Sequence, residues 1–263
     1  CNAYFLDDQG NDLELTDYQA DIVRTLITKK PKRNLLWATT RAGKSFALAI
    51  GAILLAMLRS GEKIKIVGPT TDHAKIIMNY VLDHVSDDED IVASLTAKAG
   101  KDKAKKLREE LSKRRITFEN NSEIEILSAS VNSGGRQLLG KGGSTVIVDE
   151  AEQIPDEIVR TRILRMVGDR PNAQMFLISN PTFPDKRGFM WEVKDRQEDI
   201  REQIEDTEDE EELQKLQDKI TWNERVISWE EAVEAGRMTE EFIEEERRNL
   251  TSAEFKILYD AEY

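Results

Sequence analysis

The chain has 263 residues, of which 39% are hydrophobic and 34% charged, and its formal net charge is −13. This is the composition of a globular domain with a well-charged surface, and it argues against bulk affinity for nucleic acid, leaving that role to a local basic patch. Cys1 is the one cysteine and His73 and His84 are the only histidines, which excludes an internal disulfide, argues against imidazole-rich metal sites and a Ser-His-Asp triad, and fits a reducing, cytosolic setting.

The chain opens on Cys-Asn-Ala rather than on Met, as a trimmed segment does, and no secretory leader is read at its start. Residues 16–29 carry apolar side chains at helical spacing (Ile22, Val23, Leu26, Ile27), with Thr16 or Asp17 as N-cap. Residues 34–38 form a short apolar run, read as a buried strand, and feed Gly43-Lys44-Ser45 and a helix over 45–59. The apolar stretch 46–58 has 13 residues. A bilayer span takes roughly 20. A strand over 63–67 and a helix over 71–85 follow, and the strand–loop–helix–strand–helix run is that of a parallel α/β sheet.

Residues 98–115 hold nine Lys/Arg against three Asp/Glu and are read as a helix with its flanks. Residues 115–119 and 123–128 alternate apolar and polar around Asn120-Asn121-Ser122, the pattern of a hairpin. A loop rich in glycine and basic residues spans 133–143. Residues 145–148 read as a buried strand ending in Asp149-Glu150, 156–167 as a helix, and 174–179 as another buried strand ending in Ser179-Asn180-Pro181. After Pro184 the chain turns polar. Residues 205–212 hold seven carboxylates in eight positions, read as the solvated tip of a helical hairpin or as a mobile segment. A strand over 220–228 and short helices over 229–235, 239–249 and 252–259 complete the chain, which divides into a core, 1–185, and an acidic helical and lid segment, 186–263.

Three of these places carry chemistry. Ala38-Thr39-Thr40-Arg41-Ala42-Gly43-Lys44-Ser45 fits the phosphate-binding loop G-x-x-x-x-G-K-[ST], with Ala38 where the first glycine usually stands. In such a loop, backbone N–H groups and the helix N-terminus face the phosphates, and the lysine reaches the β- and γ-phosphates. The Ser45 hydroxyl is suited to Mg²⁺. An apolar strand ending in Asp149-Glu150 suits a metal ligand, Asp149, beside a general base, Glu150, that activates water; a helix cap is the competing reading of Asp149, and the P-loop upstream favours the hydrolytic one. Ser179 and Asn180 end a third strand, either as sensors of the γ-phosphate that pass on its loss or as a turn cap.

Gln19 has an amide that can meet an adenine edge, or it is an ordinary helical glutamine. Arg41 lies inside the loop and Arg136 in the glycine-containing loop; each is a candidate for stabilising transferred-phosphate charge, within the chain or from a neighbouring copy. For Arg136 a surface loop arginine is the competing reading, and Arg160, Arg162 and Arg165 are further candidates. The lysines of 98–115 offer phosphate contacts without aromatic residues for base stacking.

Together these residues resemble the ATPase domain of the large terminase subunit of tailed bacteriophages. The resemblance rests on Tyr18-Gln19, on Thr40-Arg41-Ala42-Gly43-Lys44-Ser45, and on Arg136-Gln137-Leu138-Leu139-Gly140 ahead of 146–151. Ser179-Asn180-Pro181 and the tail from Ser228-Trp229-Glu230 to Glu254-Phe255 and Tyr259 extend it over most of residues 15–263. It implies an α/β, RecA-like P-loop ATPase of the additional-strand, catalytic-glutamate class, with a mainly parallel sheet flanked by helices and a small C-terminal helical lid. It further implies ATP and Mg²⁺ as cofactors. The implied partners are double-stranded DNA, a portal protein, a small terminase subunit and copies of the chain in a ring. The implied place is the host cytoplasm, with no membrane. Full-length members carry an RNase H-like nuclease domain; this chain stops where that domain would begin, so no nuclease activity is expected of it. The alternatives are a superfamily 2 helicase or another DNA translocase, and a scaffold that binds ATP without turning it over.

Overall fold

A computed structural model describes residue 5 and residues 12–87, 91, 93–95, 114–168 and 170–261. In chain order the elements are α1 (Asp17–Thr28), β1 (Arg33–Ala38), α2 (Lys44–Leu58), β2 (Lys63–Gly68), α3 (Thr71–Asp87), β3 (Arg115–Thr117), β4 (Glu123–Ser128), β5 (Thr145–Asp149), α4 (Asp156–Thr161), β6 (Gln174–Ser179), α5 (Phe189–Glu205), α6 (Glu210–Gln217), β7 (Asn223–Ile227), α7 (Trp229–Glu234), α8 (Glu240–Asn249) and α9 (Ser252–Phe255).

The seven strands form one sheet in the order β3-β4-β2-β5-β6-β1-β7. Only β3 runs antiparallel, against β4; every other neighbouring pair is parallel. Parallel strands covered on both faces read as continuous apolar runs, and β5 and β6 are buried at every residue. Side chains alternate between two cores. Leu36, Ala38, Ile64 and Ile66 face the side covered by α1, α2 and α3, while Leu35, Trp37, Val67 and Val148 face α4 and α5. On the second side Trp37 packs against Trp191 with ring centroids 4.9 Å apart.

Most elements lie where the sequence puts them. Thr16 caps α1 through a capping box with Gln19, a signature of a helix start. The hairpin turn at Asn120-Asn121-Ser122 closes with Phe118 N–H donating to Ser122 O at 2.8 Å, and Asn121 takes φ 66. One expectation changes. The helix expected over 156–167 stops at Arg162 and continues as a 3₁₀ turn, Ile163–Val167. That break turns Ile163 and Met166 inward and lets Met166 O accept from Gly143 N–H at 2.9 Å.

Phe189, Met190, Trp191 and Val193 of α5 belong to the second core, and β7 pairs with β1 along its length. The sheet-bearing part thus runs to Ile227, and the residues after it gather round their own small core of Ala232, Met238, Ile243, Phe255 and Tyr259. The acidic stretch 205–212 spans the turn between α5 and α6, a solvated helical hairpin as read from its charge. The basic residues 98–113 lie outside the described residues; Arg115 opens β3, the first strand of the expected hairpin. Among the described residues no helix is long and apolar enough to cross a membrane.

Candidate active site

In a parallel sheet all strand C-termini share one edge, and ligands sit there. Here β5, β6 and β1 are adjacent, so residues that end three strands far apart in sequence meet at one crevice. It opens into a cavity of about 460 Å³ whose lining includes Lys44, Ser45, Asp149, Glu150, Asn180 and Arg237.

Ala38 ends β1, fully buried and opposite Ile227, so its methyl group packs into the core where the usual glycine would leave space. The loop after it is held from both sides. Tyr18 Oη donates to Ala42 O at 2.8 Å. Thr39 N–H donates to Ile227 O at 2.8 Å and Thr40 N–H to Leu258 O at 3.0 Å, both in the C-terminal part of the chain. Thr39 Oγ1 donates to Leu258 O as well, at 3.0 Å. Arg41 and Gly43 take φ 63 and 73, so the backbone turns its amides toward one concavity, a geometry that favours anions. A side chain at Gly43 is excluded twice over, by that φ and because its Cβ would lie 2.5 Å from Gln19 Nε2.

Lys44 Nζ donates to Asn180 Oδ1 at 2.9 Å and lies 3.9 Å from Glu150 Oε1. Glu150 follows β5 with φ 50, which swings its carboxylate out of the strand and over the cavity. There its Oε2 accepts from Gln153 Nε2 at 3.3 Å and from Ser179 Oγ at 3.5 Å. Asp149 is buried; burial first, and the adjacent Glu150 second, push its carboxyl up to about 6. Its Oδ1 has no hydrogen-bond partner, and neither has Asn180 Nδ2. A buried carboxylate oxygen left open beside a P-loop serine is a fit for Mg²⁺, which favours one or two carboxylates plus substrate phosphate oxygens. Among the described residues no group of three or more His, Cys, Asp or Glu gathers to hold a metal by itself.

Glu152 stands two residues beyond Glu150. Its carboxylate is buried, and burial pushes its proton affinity up, against the pull of Gly188 N–H, Met190 N–H and the Thr182 hydroxyl, which donate to it. This ties the exit of β5 to the loop after β6 and to the start of α5.

The sequence candidates divide into those the fold brings together and those it does not. Thr40, Arg41, Gly43, Lys44, Ser45, Asp149, Glu150 and Asn180 line the cavity, and Ser179 touches Glu150 from beneath. Gln19 is buried under the loop. Its Oε1 accepts from Thr16 N–H at 3.1 Å and its Nε2 lies 3.5 Å from Ala42 O and Gly43 O, so its amide braces the loop instead of standing open to a base. Arg136 is exposed on the β4–β5 loop and does not line the cavity. With β2, β5 and β6 between β4 and β1, the two strands lie roughly 19 Å apart across the sheet. Arg160 is engaged with Asp156 and Glu192, while Arg162 and Arg165 line a separate hollow with Lys141. Arg237 and His73 line the site and were not found by sequence reasoning; neither sits in a pattern that points to phosphate.

Residues 35–259 match the sequence model of the family described as terminase large subunit, T4likevirus-type, N-terminal. Among solved structures, the Thermus phage P74-26 large terminase ATPase domain is 19% identical, with 98% of each chain covered and a TM-score of 0.66. The HK97 bacteriophage large terminase is 17% identical over 99% of this chain and 53% of that one, with a TM-score of 0.68. The large terminase of a thermophilic bacteriophage, solved in complex with ADP, is 12% identical over 94% of this chain and 53% of its own, with a TM-score of 0.63. The chain thus spans about half the length of the HK97 protein and of the ADP-bound one. At these identities the likeness establishes the fold. No functionally curated protein matches the sequence.

Proposed function

The chain belongs to the terminase large-subunit family, and from that premise we propose that it is the ATP-hydrolysing motor domain of a viral DNA-packaging machine. One observation carries the hydrolytic part: Lys44, the open oxygen of Asp149 and the out-turned Glu150 converge at one end of the P-loop.

The loop amides of 41–45 cradle the phosphates, and Lys44 exchanges Asn180 for a phosphate oxygen. Asp149 and Ser45 would hold Mg²⁺, which would supply neutralisation of phosphate charge. Glu150 accepts a proton from a water whose oxygen bonds to the γ-phosphorus as the bond to the β–γ bridging oxygen breaks, giving ADP and phosphate. Asn180, released from Lys44 when phosphate is present and reclaimed when it leaves, passes the event to the loop after β6. Arg136, exposed and remote from its own cavity, serves the cavity of a neighbouring copy in this reading. Double-stranded DNA, the portal protein and the small terminase subunit are the partners, in the host cytoplasm. The residues after Pro184 complete the one sheet through β7 and form no second nucleotide-binding lobe of the kind a helicase uses.

The test is ATP turnover with and without DNA and assembled portal. Glu150→Ala is expected to lower turnover by about 10²- to 10⁴-fold. Wild-type turnover in that variant would remove Glu150 as the base, and absence of turnover by the native chain with DNA and portal would remove the motor reading. For Arg136, mixing Arg136→Ala with Lys44→Ala subunits is expected to restore part of the activity that each lacks alone; no restoration means that it does not act between copies.

A further inference from the structure

The site has a second wall that the P-loop pattern does not announce. After α7 the chain turns at Gly236, with φ 71, and Arg237 N–H donates to Ala232 O at 2.8 Å. That turn aims Arg237 at the P-loop: its Nη2 lies 3.2 Å from the point where a Cβ on Gly43 would sit. Arg237 lines the same cavity as Lys44, Asp149 and Glu150, and among the described residues its guanidinium forms no ion pair. The other arginine in the lining, Arg41, is taken: its guanidinium stacks over the Phe242 ring at 5.0 Å.

The charge balance in the cavity points the same way. Asp149 and Glu150 place two carboxylates beside Lys44, which is the only lysine in the lining. A nucleoside triphosphate entering this space brings further negative charge, and a guanidinium offers it a planar, bidentate partner that stays charged at any working pH. Arg237 also belongs to a part of the chain already fastened to the loop, through Thr40 N–H to Leu258 O. We propose, resting on the ATP-binding reading above, that Arg237 contacts the phosphate chain of the bound nucleotide, so that the C-terminal segment after Ile227 supplies part of the nucleotide site.

The experiment is equilibrium titration of the chain with Mg-ATP, together with thermal unfolding in the absence and presence of ATP, for the native chain, Arg237→Ala, Arg237→Lys and Lys44→Ala. The exposed position makes folding of the variants the expectation. Arg237→Ala is expected to bind ATP about ten- to hundredfold more weakly. It should unfold at the native temperature without ATP, and lose part of the stabilisation that ATP confers. Arg237→Lys is expected to recover part of the affinity. Native affinity in Arg237→Ala alongside lost affinity in Lys44→Ala overturns the proposal and leaves the ATP-binding reading standing. A lowered unfolding temperature without ATP, with no recovery in Arg237→Lys, assigns Arg237 to structure and also overturns it. No ATP binding by the native chain removes both.

Discussion

The two walls of the candidate cavity are built by opposite means. The sheet-side wall stands on β1, β5 and β6, whose residues are almost all buried and paired in register, Leu36 with Ile178 and Asp149 with Ile178 among them. The C-terminal wall stands on short helices around a small core and reaches the loop through a few contacts: Thr40 to Leu258, Arg41 to Phe242, and Arg237 beside Gly43. The first wall fixes chemical groups through the stability of the whole molecule. The second touches the nucleotide loop without carrying the fold, which suits a part that moves relative to the sheet. Substitutions on either side should therefore separate stability from nucleotide handling.

The largest expected effect is on the sheet side. Trp37 is buried on β1, between β6 and β7, and packs on Trp191. Trp37→Ala should destabilise the fold by about 3–5 kcal/mol, read as a fall in denaturant midpoint, and ATP binding should fall with it. If binding survives at full strength in a strongly destabilised variant, the sheet does not set the site as described.

Glu152 gives the next test, at the seam between β5 and the loop after β6. Removing its carboxylate in Glu152→Ala strands Gly188 N–H and Met190 N–H at the start of α5. The expected loss is about 2–3 kcal/mol. Turnover should drop further than stability explains, because Glu150 and Asn180 lose their common anchor; equal binding and turnover per folded molecule would reduce Glu152 to a helix cap.

The far end of the sheet serves as a contrast remote from both walls. Glu125 accepts from Lys65 and Lys141, and Arg115 stands beside it. Although burial opposes them, these cations hold its carboxyl down to about 2. The folded-state value lies below the ordinary one, so the stabilisation is complete above about pH 4.5 and is lost as the pH falls toward 2. Glu125→Gln should remove roughly 1–2 kcal/mol of stability at neutral pH, after solvent screening, and should flatten the acid limb of the stability curve between those values. ATP affinity per folded molecule should not change; if it does, the two ends of the sheet are coupled.

The contrast between the walls also explains what the sequence disclosed. Strand-end residues such as Asp149, Glu150 and Asn180 were legible because a buried apolar run ending in polar residues is a local pattern, and because parallel topology gathers such ends at one edge. Lys44 and Ser45 were legible because the loop's chemistry is written in eight consecutive residues. Arg237 was hidden, since nothing near it in sequence distinguishes it from any arginine after a helix; its meaning comes from a turn that folds back on residue 43. Gln19 shows a use written in its place at a helix start, since a capping box with Thr16 engages its amide oxygen. The polar look of 186–227 concealed a core segment because only one stripe of α5, including Trp191 and Val193, faces inward.

The smallest predicted effect tests the C-terminal wall most directly. Phe242 opens the first turn of α8, where Thr239 Oγ1 accepts from its N–H, and its ring lies 5.0 Å beneath the Arg41 guanidinium. It is partly exposed, so its truncation should leave the sheet untouched. An exposed cation–π pair contributes about 0.5–1 kcal/mol, enough to change an equilibrium by roughly two- to fivefold. Arg41 holds φ 63, a conformation that a non-glycine residue keeps only with outside support, and the ring is part of that support. Phe242→Leu, which keeps an apolar side chain and removes the π face, should therefore weaken ATP binding about two- to fivefold while the denaturant midpoint stays near native. A fall in the midpoint with unchanged binding would mean that Phe242 serves only the small C-terminal core against which it packs, and would free Arg41 from it. Unchanged binding and an unchanged midpoint would mean that the loop keeps its shape on the strength of the Thr39 and Thr40 bonds alone, and the C-terminal wall would then reach the loop through backbone rather than through its aromatic ring.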